Sequence, residues 1–127
     1  MLITASRYVL RRILMFCIGA FLLLGLRSPL EALNKAFIVQ SPISVSDPPL
    51  DWTVRGSGLN GAAEVHFFDS TGYQVADFAA SDATSYQFDI PITIGIPFGP
   101  GQYTFIVYSY VNGDLYAIAQ GSATFVN

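Results

Sequence analysis

From residue 36 onward the sequence predicts an all-β domain, an antiparallel β-sandwich of about seven strands. Two observations carry that expectation. Short runs of β-branched and aromatic residues recur between clusters of Gly, Pro, Asn and Asp, at the regular turn spacing of a β-domain. Within the runs apolar and polar residues alternate, the period of a strand with one buried face. No helical periodicity appears after Asn34, and no internal repeat is visible. Size agrees: residues 33–127 come close to the ~100 residues of an immunoglobulin-type sandwich. Of the chain's ten Phe, seven Tyr and one Trp, eight Phe, six Tyr and the Trp fall in residues 33–127, ample core material for such a domain.

The elements follow in order. Phe37, Ile38, Val39 and Gln40 form an extended run that Pro42 breaks, and it resumes through Ile43 and Val45. Asp47-Pro48-Pro49 ends it, because the residue before a proline is driven out of the helical region. Residues 50–55 alternate, placing Leu50, Trp52 and Val54 on one face. After a Gly-rich turn, residues 63–68 set Ala63, Val65 and Phe67 against Glu64, His66 and Phe68. Asp69-Ser70-Thr71-Gly72 closes a hairpin, with Asp suited to the start of a type I turn and Gly to its end. The return strand, 73–79, points Tyr73, Val75 and Ala79 inward, and Tyr86, Phe88 and Ile90 line the next. Residues 102–111 and 115–126 form the strongest hairpin, joined by Asn112-Gly113-Asp114.

The residues before this domain have another character. Arg7, Arg11, Arg12 and Arg27 flank an apolar run, residues 13–26, whereas residues 33–127 oppose only Lys35 and Arg55 to eight acidic residues, a formal charge of −6. A basic head, an apolar plug and an acidic body describe export led by the N-terminus. Residues 1–32 are therefore expected to be an apolar helical signal peptide or signal anchor, and residues 33–127 the folded domain. Fourteen residues make ~21 Å of helix, short of the ~30 Å hydrocarbon core, which favours a signal peptide cleaved after Ala32. Arg27 directly after the run keeps the anchor alternative open. The expected location is extracellular, cell-surface or periplasmic, with membrane contact only through the head.

Several chemistries are disfavoured. An acidic body does not bind nucleic acid, which needs clustered Lys and Arg. The sole cysteine, Cys17, lies inside the apolar run, so the domain has no internal disulfide. His66 is the sole histidine, and with no second His or body Cys no metal site is expected. No nucleophile elbow surrounds Ser57, Ser70 or Ser85, so no catalytic residue is assigned and His66 is placed on the wetter strand face. Turn aspartates cap their own backbone. The Gly-rich stretch 56–61 precedes a strand rather than a helix and so lacks a phosphate-binding N-terminus. No cofactor is expected.

Three binding readings remain. The first is a non-catalytic surface or envelope protein acting by protein–protein contact. The second is a filament or pilus subunit that donates its N-terminal strand (Phe37, Ile38, Val39, Ile43, Val45) to a neighbour's groove by β-augmentation. The third is a carbohydrate-binding module with Tyr108, Tyr110 and Tyr116 as an exposed aromatic platform.

The order of motifs also resembles the immunoglobulin-like domain of bacterial spore-germination proteins and related exported bacterial domains. The pieces are Ile38-Val39-Gln40-Ser41-Pro42; P-L-x-W-x-V-x-G over 49–56; V-x-F-F-D-x-x-G over 65–72; and G-x-Y-x-F-x-V-Y-S with N-G-D between 101 and 114. That resemblance implies an immunoglobulin-like accessory domain at the cell surface, and it transfers no catalytic residues.

Overall fold

The computed structural model describes residues 33–127, and the expected signal peptide or anchor, residues 1–32, lies outside them. The described residues are all-β, with eight strands and no helix: β1 (Asn34–Ile38), β2 (Ile43–Ser44), β3 (Asp51–Gly56), β4 (Ala62–Phe68), β5 (Gln74–Ala79), β6 (Gln87–Pro91), β7 (Gly101–Val111) and β8 (Asp114–Val126). Hydrogen-bonded neighbours run β5-β4-β7-β8-β1-β3-β6, and β2 also pairs β8. Most pairings are antiparallel, but β1 and β2 run parallel to β8. The sheet is thus mixed, and it curls so that β3 and β6 face β4, β7 and β8 across a shared core.

That core rests on the alternation read in the sequence. Trp52 and Val54 from β3, Phe88 and Ile90 from β6, Val65 and Phe67 from β4, Phe105 and Val107 from β7, and Phe125 from β8 are all buried. Trp52 packs edge-on against Phe67 and Phe78, with ring centroids 5.7 and 5.5 Å apart, and tilted against Phe125 at 5.4 Å. These offset geometries suit the ring quadrupole. Close approach is required where β1 meets β8. A Cβ at Gly121 would collide with the Ala36 carbonyl oxygen and the Phe105 ring, so only glycine fits there.

The segment from Phe37 to Val45 occupies its own sheet. Ile38 and Ile43 are buried and Val45 packs against the core, while Phe37 and Val39 face solvent. A hydrogen bond from Thr124 N to Ser41 Oγ (3.0 Å) ties the β1–β2 turn to β8.

Four expected inward residues differ. Leu50 falls just before β3 and is 85 % exposed. Tyr86 precedes β6 and is also exposed. In β5 the register shifts: Phe68 opposes Gln74, but Phe67 opposes Ala76, which leaves Val75 as the extra residue of a bulge. Beyond it the facing inverts, so Phe78 turns to the core and Ala79 is exposed, whereas Tyr73 falls just before β5 and is exposed there.

Candidate functional site

The most distinctive chemistry lies on the face of β4, β5, β7 and β8 that points away from the core. Alternation in β4 sends Glu64, His66 and Phe68 there, opposite to Val65 and Phe67. Across the ladders, His66 opposes Asp77 on one side and Ile106 on the other, and Glu64 opposes Tyr108. The bulge at Val75 is what brings Asp77 beside His66. An unbroken register from Phe68–Gln74 would have put Ala76 there.

His66 is fully buried, which corrects its expected place on a wet face. Its ring stacks on Tyr108 at 4.5 Å with planes 17° apart. His66 Nε2 lies 2.8 Å from Glu64 Oε1; a carboxylate only accepts, so Nε2 carries the donating proton. Tyr110 Oη donates to the other oxygen, Glu64 Oε2. Both oxygens of Glu64 are thus engaged by named partners, and its carboxylate fixes the imidazole and a tyrosine together.

Ligand atoms of Glu64, His66 and Asp77 lie within 4.8 Å of one another, a grouping that the sequence analysis did not assemble. Binding a cation through Nε2 would first have to displace the proton it donates to Glu64. Through the Glu64 carboxylate, which takes both His66 Nε2 and Tyr110 Oη, the cluster ties β4 to β7.

The aromatic platform does not form. Tyr108 is buried (4 % exposed) beneath the same face. Cross-strand partners share a face. Tyr110 opposes Leu115 while Tyr116 opposes Ser109, so the two exposed tyrosines project from opposite faces of the hairpin.

A second feature lies at the ends of the strand path. β5 and β6 each have a single hydrogen-bonded strand neighbour in the path. Ser81 and Asp89 bridge them at one end through paired backbone bonds of 2.8 and 3.1 Å. Beyond that bridge they part, leaving an open groove of about 480 Å³ lined by Phe78 and Ala79 on one side and Pro91, Ile94 and Pro97 on the other. Ile94 is 83 % exposed there, and Leu50 stands close by, its carbonyl accepting from Ile92 N at 2.9 Å.

Comparison with known proteins gives little company. No protein-family model matches the chain, and no curated protein does. Among solved structures, CopC from Methylosinus trichosporium OB3b aligns with 19 % identity over 71 % of this chain and 92 % of that one, at a TM-score of 0.40. At that level of similarity nothing about ligand or role passes from one to the other.

Proposed function

We propose that this chain is an exported, non-catalytic domain of immunoglobulin-like type that works by protein–protein contact, receiving an extended segment in the groove beside β5. The topology supports the type. β1, β3 and β6 make one antiparallel set, and β5, β4, β7 and β8 make the other. The first strand begins beside β8 at Asn34 and Lys35, pairs β3 from Ala36 to Ile38 and returns as β2 to β8, so it bridges the two sets. The basic head and apolar run support export.

The observation that carries the contact is the open groove between two sheet edges. An edge strand offers backbone donors and acceptors to an added strand. On the β6 side Pro91 lacks an N–H, so the β5 side is the one built to receive the segment. Exposed Ile94 and Leu50 supply apolar contact at the rim.

A photo-crosslinking side chain placed at Ile94, in the full chain in the cells that make it, tests this reading. The control is the same group at Thr71, in the hairpin turn at the far end of β5. A discrete adduct at Ile94 and none at Thr71 supports the reading. If the adduct is a second copy of this chain, the contact is the filament type, with a neighbour's β1–β2 segment as the added strand. No adduct, or equal yields at the two positions, overturns it.

A further inference from the structure

The groove beside β5 has a second part, on the outward face of the sheet. A depression of about 220 Å³ is lined by Glu64, Asp77, Phe78 and Ala79, and it shares the last three with the apolar groove that runs to Pro97. Among the described residues, two carboxylates and no cation stand in that lining. The two parts flank the β5 backbone. Asp77 opposes His66 and Ala79 opposes Glu64, so all four share the outward face. Phe78 packs on the core side, with Pro91, Ile94 and Pro97 across the gap. Ala80 N donates to Ala63 O at 2.9 Å. An antiparallel ladder alternates its bonded pairs, so the main-chain groups of Phe78 turn to β4 and those of Asp77 and Ala79 turn away from it, toward the groove.

We propose that the segment received beside β5 belongs to a different protein and is basic and apolar by turns, with a Lys or Arg opposite Ala79 and a large apolar residue next to it in sequence. This rests on the reading of the β5 groove and names what that groove selects. A strand laid on the outward-turned groups of Asp77 and Ala79 sends alternate side chains to the two faces. The one opposite Ala79 goes to the outward face, above a methyl group, with Asp77 on its diagonal. Glu64 stands one strand further in, about 10 Å away at ~4.8 Å per strand, a span that a lysine or arginine and the glutamate close between them. An acidic residue in that place would meet two carboxylates, and charge arranged in this way selects partners more than it tightens binding. The neighbouring residue of the segment goes to the other face, against Phe78, Pro91, Ile94 and Pro97, where the lining offers apolar contact. The same charge tells against a second copy: pairing two β5 edges would set Asp77 beside its own counterpart. A neighbour's β1–β2 segment also fails the pattern, since Lys35 is flanked by Asn34 and Ala36.

The probes are short capped fluorescent peptides with an alternating Thr-Val frame that differ only at a central pair: Lys-Ile, Glu-Ile or Lys-Ser. Each is titrated into the protein as purified from the producing cells, with affinity read by anisotropy and the site by amide NMR shifts at Ala79 and Ile94. Lys-Ile should bind about tenfold tighter than Glu-Ile at low salt, a margin that added salt reduces. It should also bind several-fold tighter than Lys-Ser, with the shifts at Ala79 and Ile94. Asp77 is exposed, so Asp77→Lys keeps the fold, and it should remove or reverse the margin between Lys-Ile and Glu-Ile. Equal affinities for those two, with shifts at Ala79 and Ile94, overturn the proposal and leave the groove reading standing, as does a margin unchanged in Asp77→Lys. If no peptide binds, or the shifts fall elsewhere, the proposal also fails, and the crosslink at Ile94 decides separately whether the groove reading fails with it.

Discussion

The two faces of the β4–β7–β8 sheet differ in material and in cover: the inner one is buried along its length, while the outer one is buried at Phe68, His66, Ile106, Tyr108 and Leu115 but exposed at Thr104 and Tyr110. The inner face is hydrocarbon and aromatic throughout: Phe67, Phe105, Val107, Ala119 and Phe125 meet Trp52 and Ile90 from the strands opposite. The outer face mixes Phe68, Ile106, Tyr108 and Leu115 with a buried histidine and the glutamate that holds it. An apolar face gains from area and shape, so its stability scales with what it buries. A face with a buried imidazole depends on having its partners in place, because an unmet polar group costs more than a met one contributes. The same three strands therefore carry one interface whose stability follows from close apolar packing and one that also depends on polar partners being in place.

The largest effect is expected from Trp52→Ala, which empties the centre of the inner face. Loss of a buried aromatic costs ~3–5 kcal/mol, and urea denaturation should show a fall of that size; a change under ~1 kcal/mol would mean the inner face is not the main core. Gly121→Ala comes next. The added methyl meets the Ala36 carbonyl and the Phe105 ring, so a loss of ~1–3 kcal/mol is expected from overpacking, read by the same melt.

The outer face is probed by Glu64→Ala, which leaves His66 Nε2 and Tyr110 Oη without their shared acceptor. About 1–3 kcal/mol is expected for stranding a buried donor. In a double-mutant cycle with Tyr110→Phe the two losses should fail to add; strict additivity would show that the cluster does not act as a unit. Leu50→Ser should be nearly silent, within about ±0.5 kcal/mol, because that side chain is 85 % exposed. A large loss would restore Leu50 to the core side of β3.

The smallest effect concerns pH. Asp69 is held below its ordinary value of 3.8, first by the Thr71 hydroxyl and then by the backbone N–H groups of Tyr73, Thr71 and Gly72. Its Oδ1 accepts from Thr71 Oγ1 at 2.6 Å and Thr71 N at 2.9 Å. A carboxylate with a depressed folded pKa stabilises the fold above its unfolded pKa, and that contribution is lost as pH falls through the folded value. Acidification below about pH 4 should therefore loosen the β4–β5 turn first, with a carboxyl NMR titration at Asp69 centred below 3.8 and shifted upward in Thr71→Ala. A midpoint unchanged by Thr71→Ala would remove the hydroxyl as the cause.

Much of this was legible without coordinates. Alternation alone placed Trp52, Val54, Val65, Phe67, Phe88 and Ile90 on inward faces, because a strand's period of two leaves no other way to bury them. The break at Pro42 and resumption at Ile43 were equally local. Asp77 beside His66 was not legible, since it depends on the bulge at Val75, and an extra residue in one strand leaves no mark in the alternation of its partner. Nor was the burial of Tyr108, which a sequence shows only as one of two candidate faces.

The sequence by itself determined the all-β character, the main turns and the inward residues within β3, β4 and β6, because these follow from backbone sterics and short-range periodicity. It did not determine the facing of β5, which the bulge at Val75 inverts. Only the tertiary structure decided which sheet faces are covered, that β1 and β2 run parallel to β8, that Glu64, His66 and Asp77 converge, and that a groove opens between β5 and residues 91–97. Those features join residues far apart in the chain, and the free energy that selects them comes from burial and polar pairing across strands, which no local pattern records.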